Sequence, residues 1–306
     1  MKRDFLTLGD LSREEHAWLL SRARWHKARR SEGALVETLR GKTLGLVFEK
    51  ASTRTRVSFE AAMAQLGGHA IALPFSESQM ARGEPLADTA RVLSGYLDAI
   101  VMRTFSQERL REFAAHAGVP VINGLSDTAH PVQLLADLQT VVERLGSLEG
   151  CVAAFIGDGG SNMALSWIEA ASLFGFELRV ASPEGYQPPP AYLALYPGKI
   201  SVMDSPTKAA QGATVVSTDV WTSMGQEAEA KARVSAFAGF TLDDELLRGA
   251  RPDAMVMHCL PAHRGEEIAA AVIDGPRSAV WQQAENRMHA QKALLELLLL
   301  KARPEA

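Results

Sequence analysis

Residues 43–66, TLGLVFEKASTRTRVSFEAAMAQL, set three patterns end to end. Residues 43–48 form a short apolar run suited to a buried strand. Lys50-Ala51-Ser52-Thr53-Arg54-Thr55-Arg56 then crowds hydroxyls and guanidiniums together, and Phe59, Met63 and Leu66 recur at helical spacing beyond it. Strand, polar turn and helix recur along the chain, with further strands expected at 69–73, 99–102, 120–123, 151–156, 178–181, 213–217 and 255–258. Such alternation predicts an α/β protein with parallel sheets. Val132, Leu135, Leu138, Val142 and Leu145 share one face of a helix opened by Pro131 and ended by Gly146. The run Gly146-Ser147-Leu148-Glu149-Gly150 breaks this pattern and marks a domain boundary. The expected layout is a first domain at 1–146, a second at 147–284, and a last helix at 285–306 that returns to the first. Each domain has a central, mostly parallel sheet flanked by helices.

Composition agrees with two domains and narrows the partners. A chain of 306 residues buries roughly three-quarters of its unfolded surface and sits where single cores usually divide. The 32 Lys+Arg and 36 Asp+Glu leave a net charge of −4, which argues against bulk attraction to nucleic acid or an anionic membrane. Any anionic ligand must therefore be held by a local basic cluster. Cys151 and Cys259 are too few for a disulfide framework and fit a reducing, cytoplasmic setting. No apolar run approaches the ~18 residues of a membrane span, and the start, MKRDFLTLGDLSREEH, is too charged for a signal peptide.

Unusual residues fall at the ends of expected strands, where ligands bind in open α/β sheets. Ser52, Thr53, Arg54 and Thr55 at a helix start offer a phosphate cradle, although a solvated helix cap would use similar residues. A P-loop is excluded, because Gly41-Lys42-Thr43 lacks a glycine at Val36 and precedes its strand. Arg103 follows a buried run, and His130-Pro131-Val132-Gln133 puts an imidazole and an amide at a helix start, suited to a carbonyl or amide ligand. Gly157-Asp158-Gly159-Gly160-Ser161-Asn162 invites a dinucleotide reading, but Asn162 takes the place of the third glycine. Asp219 and Ser223 in Thr218–Gly225 put a carboxylate and a hydroxyl four residues apart; the plainer alternative is an Asp that caps a helix from about Gln226. His258-Cys259-Leu260-Pro261 brings a thiol to a strand end, and no HExxH or CxxC pattern suggests a metal. Five of these motifs, at Ser52, Arg103, Asp158, Asp219 and Cys259, stand at five strand ends and suggest one site assembled between two domains.

Together these motifs resemble the aspartate and ornithine carbamoyltransferase family, more closely its ornithine branch, from about Phe5 to the final helix. The resemblance implies that Ser52, Thr53, Arg54 and Thr55 hold the phosphate of carbamoyl phosphate and that Arg103 spans phosphate and carbonyl oxygen. It gives His130 to that oxygen, Gln133 to the carbamoyl amide, and Arg287 to the site from the last helix. Asn162 and the Met224 backbone would hold the carboxylate of L-ornithine, Asp219 and Ser223 its α-ammonium, and Cys259 with the Leu260 carbonyl the reacting groups. It further implies a homotrimer or a multiple of trimers, with Gln79 on the loop 76–83 completing a neighbour's site. Many members carry a second asparagine where Ser161 stands and a glycine where Ala81 stands. The implied reaction gives citrulline and phosphate in arginine metabolism and needs no metal or organic cofactor. Aspartate, putrescine and N-acylated ornithine are rival acceptors. Ser223-Met224-Gly225 argues against the first two, and Asp219 wants the free α-ammonium that acylation removes.

Overall fold

The computed structural model describes residues 2–222, 227–300, 302 and 304. Two compact units emerge: residues 1–139 with 285–306, and residues 140–284. The division falls inside the helix Pro131–Leu145, earlier than the turn at Gly146 where the periodicity breaks. The end of that helix is tied to the second unit: Arg144 donates to Gln282 Oε1 at 2.8 Å and Glu143 accepts from Gln282 Nε2 at 2.7 Å. A break in periodicity marks where an element ends; side-chain partners decide which body it joins.

In the first unit, β1 (Thr43–Phe48), β2 (His69–Pro74), β3 (Ala99–Arg103) and β4 (Val121–Leu125) form a parallel sheet in the order β2-β1-β3-β4. Phe48 pairs with Arg103, so β1 and β3 end at the same edge. The helix after β1, Thr53–Gln65, starts at Ser52, whose Oγ accepts from the Thr55 N–H at 3.3 Å. Phe59, Ala62 and Met63 on one face are fully buried; an aromatic of that size contributes ~2 kcal/mol by leaving water. The chain then turns at Gly67-Gly68. A Cβ on Gly68 would lie 2.4 Å from Met63 Cε and 3.0 Å from the Lys42 carbonyl oxygen, so a glycine is needed for β2 to return beside β1.

The C-terminal helix, Val280–Leu299, packs back on this unit from Glu285 onward through a buried polar lattice. Arg22 Nε and His26 Nε2 meet Glu296 Oε2 at 2.6 and 3.0 Å, and Thr38 Oγ1 donates to Oε1 at 2.6 Å. Burial opposes the Glu296 charge, but hydrogen bonds from His26 and Arg22 outweigh it and hold the carboxyl at about 2. Lys27 donates to Asn286 Oδ1 at 2.7 Å and Lys292 to Gln65 Oε1 at 2.6 Å. These bonds set the register of the helix that carries Arg287.

In the second unit, β5 (Val152–Ile156), β6 (Glu177–Ala181), β7 (Ile200–Met203), β8 (Val215–Thr218) and β9 (Met255–His258) run parallel in the order β7-β6-β5-β8-β9. Strand β7 was not anticipated from the sequence. It is a four-residue edge strand with no fully buried position, so it lacks the apolar signal of its neighbours. Val216, Phe237, Leu242, Val256 and Ile268, all fully buried, belong to one core. Strand order reverses between β1 and β3 in one sheet and between β5 and β8 in the other. Crevices at such reversals are the usual ligand sites of doubly wound folds.

Candidate active site

Strand β1 delivers its polar turn to the reversal point of the first sheet. Ser52 caps the helix and also donates from Oγ to Thr55 Oγ1 at 3.0 Å. Thr53 and Arg54 occupy the exposed first turn, whereas Thr55 is buried. A helix N-terminus presents unpaired N–H groups and the positive end of the peptide dipoles, so this turn favours an anion. Strand β3 ends in buried Arg103. Its register with β4 shifts between Met102 and Arg103, a bulge of the kind that re-aims a side chain.

Across from this turn, His130 and Gln133 flank the start of the helix Pro131–Leu145, both buried. Arg287 Nη2 donates to Thr55 Oγ1 at 2.8 Å, and Nη1 donates to Gln133 Oε1. Gln133 Nε2 passes the chain on to Asp137 Oδ1 at 2.8 Å. The amide is thus oriented oxygen toward Arg287, nitrogen toward Asp137. Asp137, one helical turn beyond Gln133, was missed from the sequence; its spacing of four from Gln133, which puts both on one helix face, was the available signal. His130 lies well below the usual histidine range, first because burial disfavours charge, then because Arg287, Arg103 and Arg54 repel a second cation. A neutral imidazole among guanidiniums can donate one N–H to a ligand oxygen without adding charge.

At the reversal point of the second sheet, Ser161 caps the helix Asn162–Phe174, its Oγ accepting from the Ala164 N–H at 3.2 Å. Asn162 is the first helical residue and half-buried. Strand β8 leads to Asp219, which is 8% exposed. Its Oδ1 accepts from the Val220 N–H at 2.8 Å and from the Cys259 thiol at 3.1 Å. Burial pushes the Asp219 carboxyl above its ordinary value, only partly offset by His258, Cys259 and the Val220 N–H. Ser223 and Met224 lie outside the described residues, as does Gln226, where a helix start was considered; the described helix there begins at Ala230.

After β9, Cys259 is half-buried and Leu260 adopts φ +60°, a conformation rare for leucine. The Leu260 N–H donates to His258 Nδ1 at 2.9 Å, which leaves Nε2 to donate to the buried Glu267 at 3.0 Å. Glu267 also accepts from the His263 N–H at 2.6 Å. The tautomer of His258 is therefore set, and with it the backbone that presents Cys259 and the Leu260 carbonyl. Glu267 was not found from the sequence, since nothing local distinguishes it from exposed Glu266. The ligand atoms of Asp219, His258 and Cys259 lie within 4.8 Å of one another, but Nδ1 of His258 is occupied by the Leu260 N–H and Oδ1 of Asp219 by the thiol. These atoms are engaged in two separate hydrogen bonds. Gln79 is exposed and opens the 3₁₀ turn Gln79–Arg82 within the first unit.

Two doubly wound parallel sheets, one with guanidiniums and hydroxyls at its reversal point and the other with a buried aspartate bonded to a half-buried thiol, define a two-unit α/β enzyme. Residues 3–143 match the family model described as aspartate/ornithine carbamoyltransferase, carbamoyl-P binding domain, and residues 149–298 match its Asp/Orn binding domain. The chain belongs to the aspartate/ornithine carbamoyltransferase family. It is 55% identical over 298 residues to ornithine carbamoyltransferase of Halorhodospira halophila, covering 97% of this chain and 99% of that protein. It is 56% identical over 297 residues to the anabolic ornithine carbamoyltransferase of Pseudomonas aeruginosa, covering 97% of each. Among solved structures, ornithine carbamoyltransferase from Pyrococcus furiosus superposes with a TM-score of 0.93 at 47% identity over 98% of both chains. That from Burkholderia thailandensis gives 0.91 at 44% identity, over 99% of this chain and all of the other. Among the described residues no helix is long and apolar enough to cross a membrane.

Proposed function

We propose that this chain transfers the carbamoyl group of carbamoyl phosphate to the δ-amine of L-ornithine, giving L-citrulline and phosphate in the biosynthetic direction. The observation that carries the reading is the lattice in which Arg287 ties Thr55 to Gln133 beside neutral His130. Thr55, His130 and Gln133 lie within residues 3–143, which match the carbamoyl-P binding domain, and Arg287 joins them from the last helix, which belongs to the same compact unit. Residues 1–146 with the last helix are assigned to carbamoyl phosphate and residues 147–284 to ornithine.

Ser52, Thr53, Arg54 and Thr55 bind the phosphate, and Arg103 and His130 donate to the carbonyl oxygen. The Gln133 amide fixes the carbamoyl nitrogen. Asn162 and the Met224 backbone receive the ornithine carboxylate, and Asp219 with Ser223 the α-ammonium. Cys259 and the Leu260 carbonyl face the δ-amine. An alkylammonium titrates near ~10.4, so the bound amine must first lose a proton; nearby guanidiniums favour that loss. The neutral amine attacks the carbamoyl carbon, forming the C–N bond as negative charge collects on the carbonyl oxygen. Each donor to that oxygen is worth ~3 kcal/mol. The tetrahedral adduct collapses with cleavage of the C–O bond to phosphate, and the departing phosphate takes the amine proton.

A homotrimer with the Gln79 loop completing a neighbouring site is part of the same proposal, and sedimentation equilibrium measures it. The activity is tested by incubating the protein with carbamoyl phosphate and, separately, ornithine, aspartate, putrescine and N-acetylornithine, with product identified by mass spectrometry. Citrulline from ornithine alone is expected; carbamoylation of another amine in preference to ornithine overturns the assignment.

A further inference from the structure

The second unit contains a buried arginine outside the residues so far assigned to substrate. Arg233, on the helix Ala230–Ala236, is only 6% exposed, yet its guanidinium reaches several separate segments. Nη1 donates to Asp158 Oδ2 at 2.6 Å and to the Trp221 carbonyl oxygen at 3.0 Å; Nε donates to Glu229 Oε2 at 3.1 Å. The guanidinium carbon lies 5.0 Å from the centre of the Tyr186 ring, within cation–π range.

Three of these contacts lie beyond the carboxyl ends of three different strands, Asp158 after β5, Tyr186 after β6 and Trp221 after β8. Asp158 begins the turn after β5; its other oxygen accepts from the Gly160 N–H at 2.9 Å, and the turn ends at Ser161, the cap of the helix that starts with Asn162. Trp221 lies two residues past Asp219. Its ring stacks on Phe237 at 5.5 Å and 17°, and the Phe237 N–H is bonded to the Arg233 carbonyl oxygen at 2.9 Å. Tyr186 follows β6, and its carbonyl oxygen accepts from the Gly159 N–H at 2.9 Å. One side chain therefore holds together the turn that presents Asn162 and the segment that presents Asp219.

We infer that Arg233 is a positioning residue for the amino-acid substrate: it sets the separation of Asn162 and Asp219, which grip opposite charges on one α-carbon. This rests on the ornithine reading above. A carboxylate and an ammonium on a single carbon stand a fixed distance apart, so two anchors serve them only when held at the matching distance. Asp158 and the Trp221 carbonyl belong to chain segments more than 60 residues apart and both accept from Nη1, while the bond from Nε to Glu229 fixes the plane of the guanidinium, an orientation a lysine ammonium would lack.

The test compares Arg233→Met, which keeps most of the volume and removes the donors, with Arg233→Lys, which keeps the charge beside Asp158. For the Met variant the ornithine KM should rise on the order of 10- to 100-fold, the range set by lost hydrogen bonds to a charged group, while kcat changes by less than about threefold. The affinity for carbamoyl phosphate alone, measured by titration calorimetry, should be unchanged. The Lys variant should recover part of the ornithine KM. Asp158→Asn in the Arg233→Met background should add little, because the same bridge is already lost. An ornithine KM within threefold of wild type in the Met variant overturns the inference, as does a loss shared equally by carbamoyl phosphate. Should the Met variant not fold, Asp158→Asn carries the same KM criterion. Failure of the wild type to make citrulline would instead defeat the functional reading.

Discussion

Replacing Asp219 by Asn should weaken ornithine binding by about 2–4 kcal/mol and at the same time stabilise the unliganded protein. Asn presents the same Oδ1 to the Val220 N–H and the Cys259 thiol, so the local fold is kept and only the charge is removed. Truncating one partner of a buried charged pair costs 2–5 kcal/mol in a complex, so the ornithine KM should rise roughly 30- to 1,000-fold. Stability moves the other way. Burial raises the Asp219 carboxyl, so the folded state holds this proton more tightly than the unfolded one. The resulting stabilisation is complete below the unfolded value near ~3.9 and is lost as pH rises through the folded value, at ~1.4 kcal/mol for each pH unit that separates the two. Above that window the wild type carries the whole cost of a buried carboxylate and the variant none. Scanning calorimetry across a pH series should therefore show the variant melting higher at neutral pH, with the gap closing towards pH 4. Citrulline formation against ornithine at saturating carbamoyl phosphate gives the KM. An unchanged ornithine KM, an equal loss in carbamoyl phosphate affinity, or a variant less stable at neutral pH would each refute the reasoning.

Arg54→Ala should lower carbamoyl phosphate affinity by about 1.5–3 kcal/mol with little change in melting temperature, since Arg54 is exposed; near-normal affinity by titration calorimetry removes Arg54 from the phosphate site. His130 should stay neutral from pH 8 to 6 in the folded protein, because burial and then Arg287, Arg103 and Arg54 depress it. Its contribution to stability is present above the unfolded value near ~6.5 and declines as pH falls; a folded-state imidazole resonance titrating at 6.5 would contradict this. Gly68→Ala should destabilise the protein by about 1–3 kcal/mol in urea unfolding, because the added methyl meets Met63 Cε at 2.4 Å and backbone carbonyls of Lys42 and Leu39 at 3.0 and 3.1 Å. A loss under 0.5 kcal/mol would show that the neighbours can move.

Much of the scaffold is legible because strand and helix periods are local. The expected runs at 43–48 and 255–258 coincide with β1 and β9, and Gly146 ends the helix from Pro131 at φ +82°. The signal fails where burial is partial. Strand β7 has exposed or half-exposed positions throughout, and so carries no apolar run to detect. Asp158 illustrates the limit for the site: in sequence it belongs to a glycine-rich turn that invites a dinucleotide reading but lacks the third glycine. In the structure its carboxylate faces Arg233, and Gly159 is so close to Ser182 Oγ and Pro188 that a Cβ would lie 2.5 and 2.6 Å from them. This glycine serves close packing.

The sequence by itself determined the parallel α/β class, the placement of polar motifs at strand ends, and the residue types able to hold a small anion, because each depends on neighbours within a few positions. Only the tertiary structure decided which distant groups meet: Thr55 with Arg287 across 232 residues, Arg22 with Glu296 across 274, and Asp158 with Arg233 across 75. Charged side chains of the same type look alike along a chain. What separates buried Arg233 and Arg287 from exposed Arg54 and Arg56 is the loss of water around them, and that is settled only when separate segments pack.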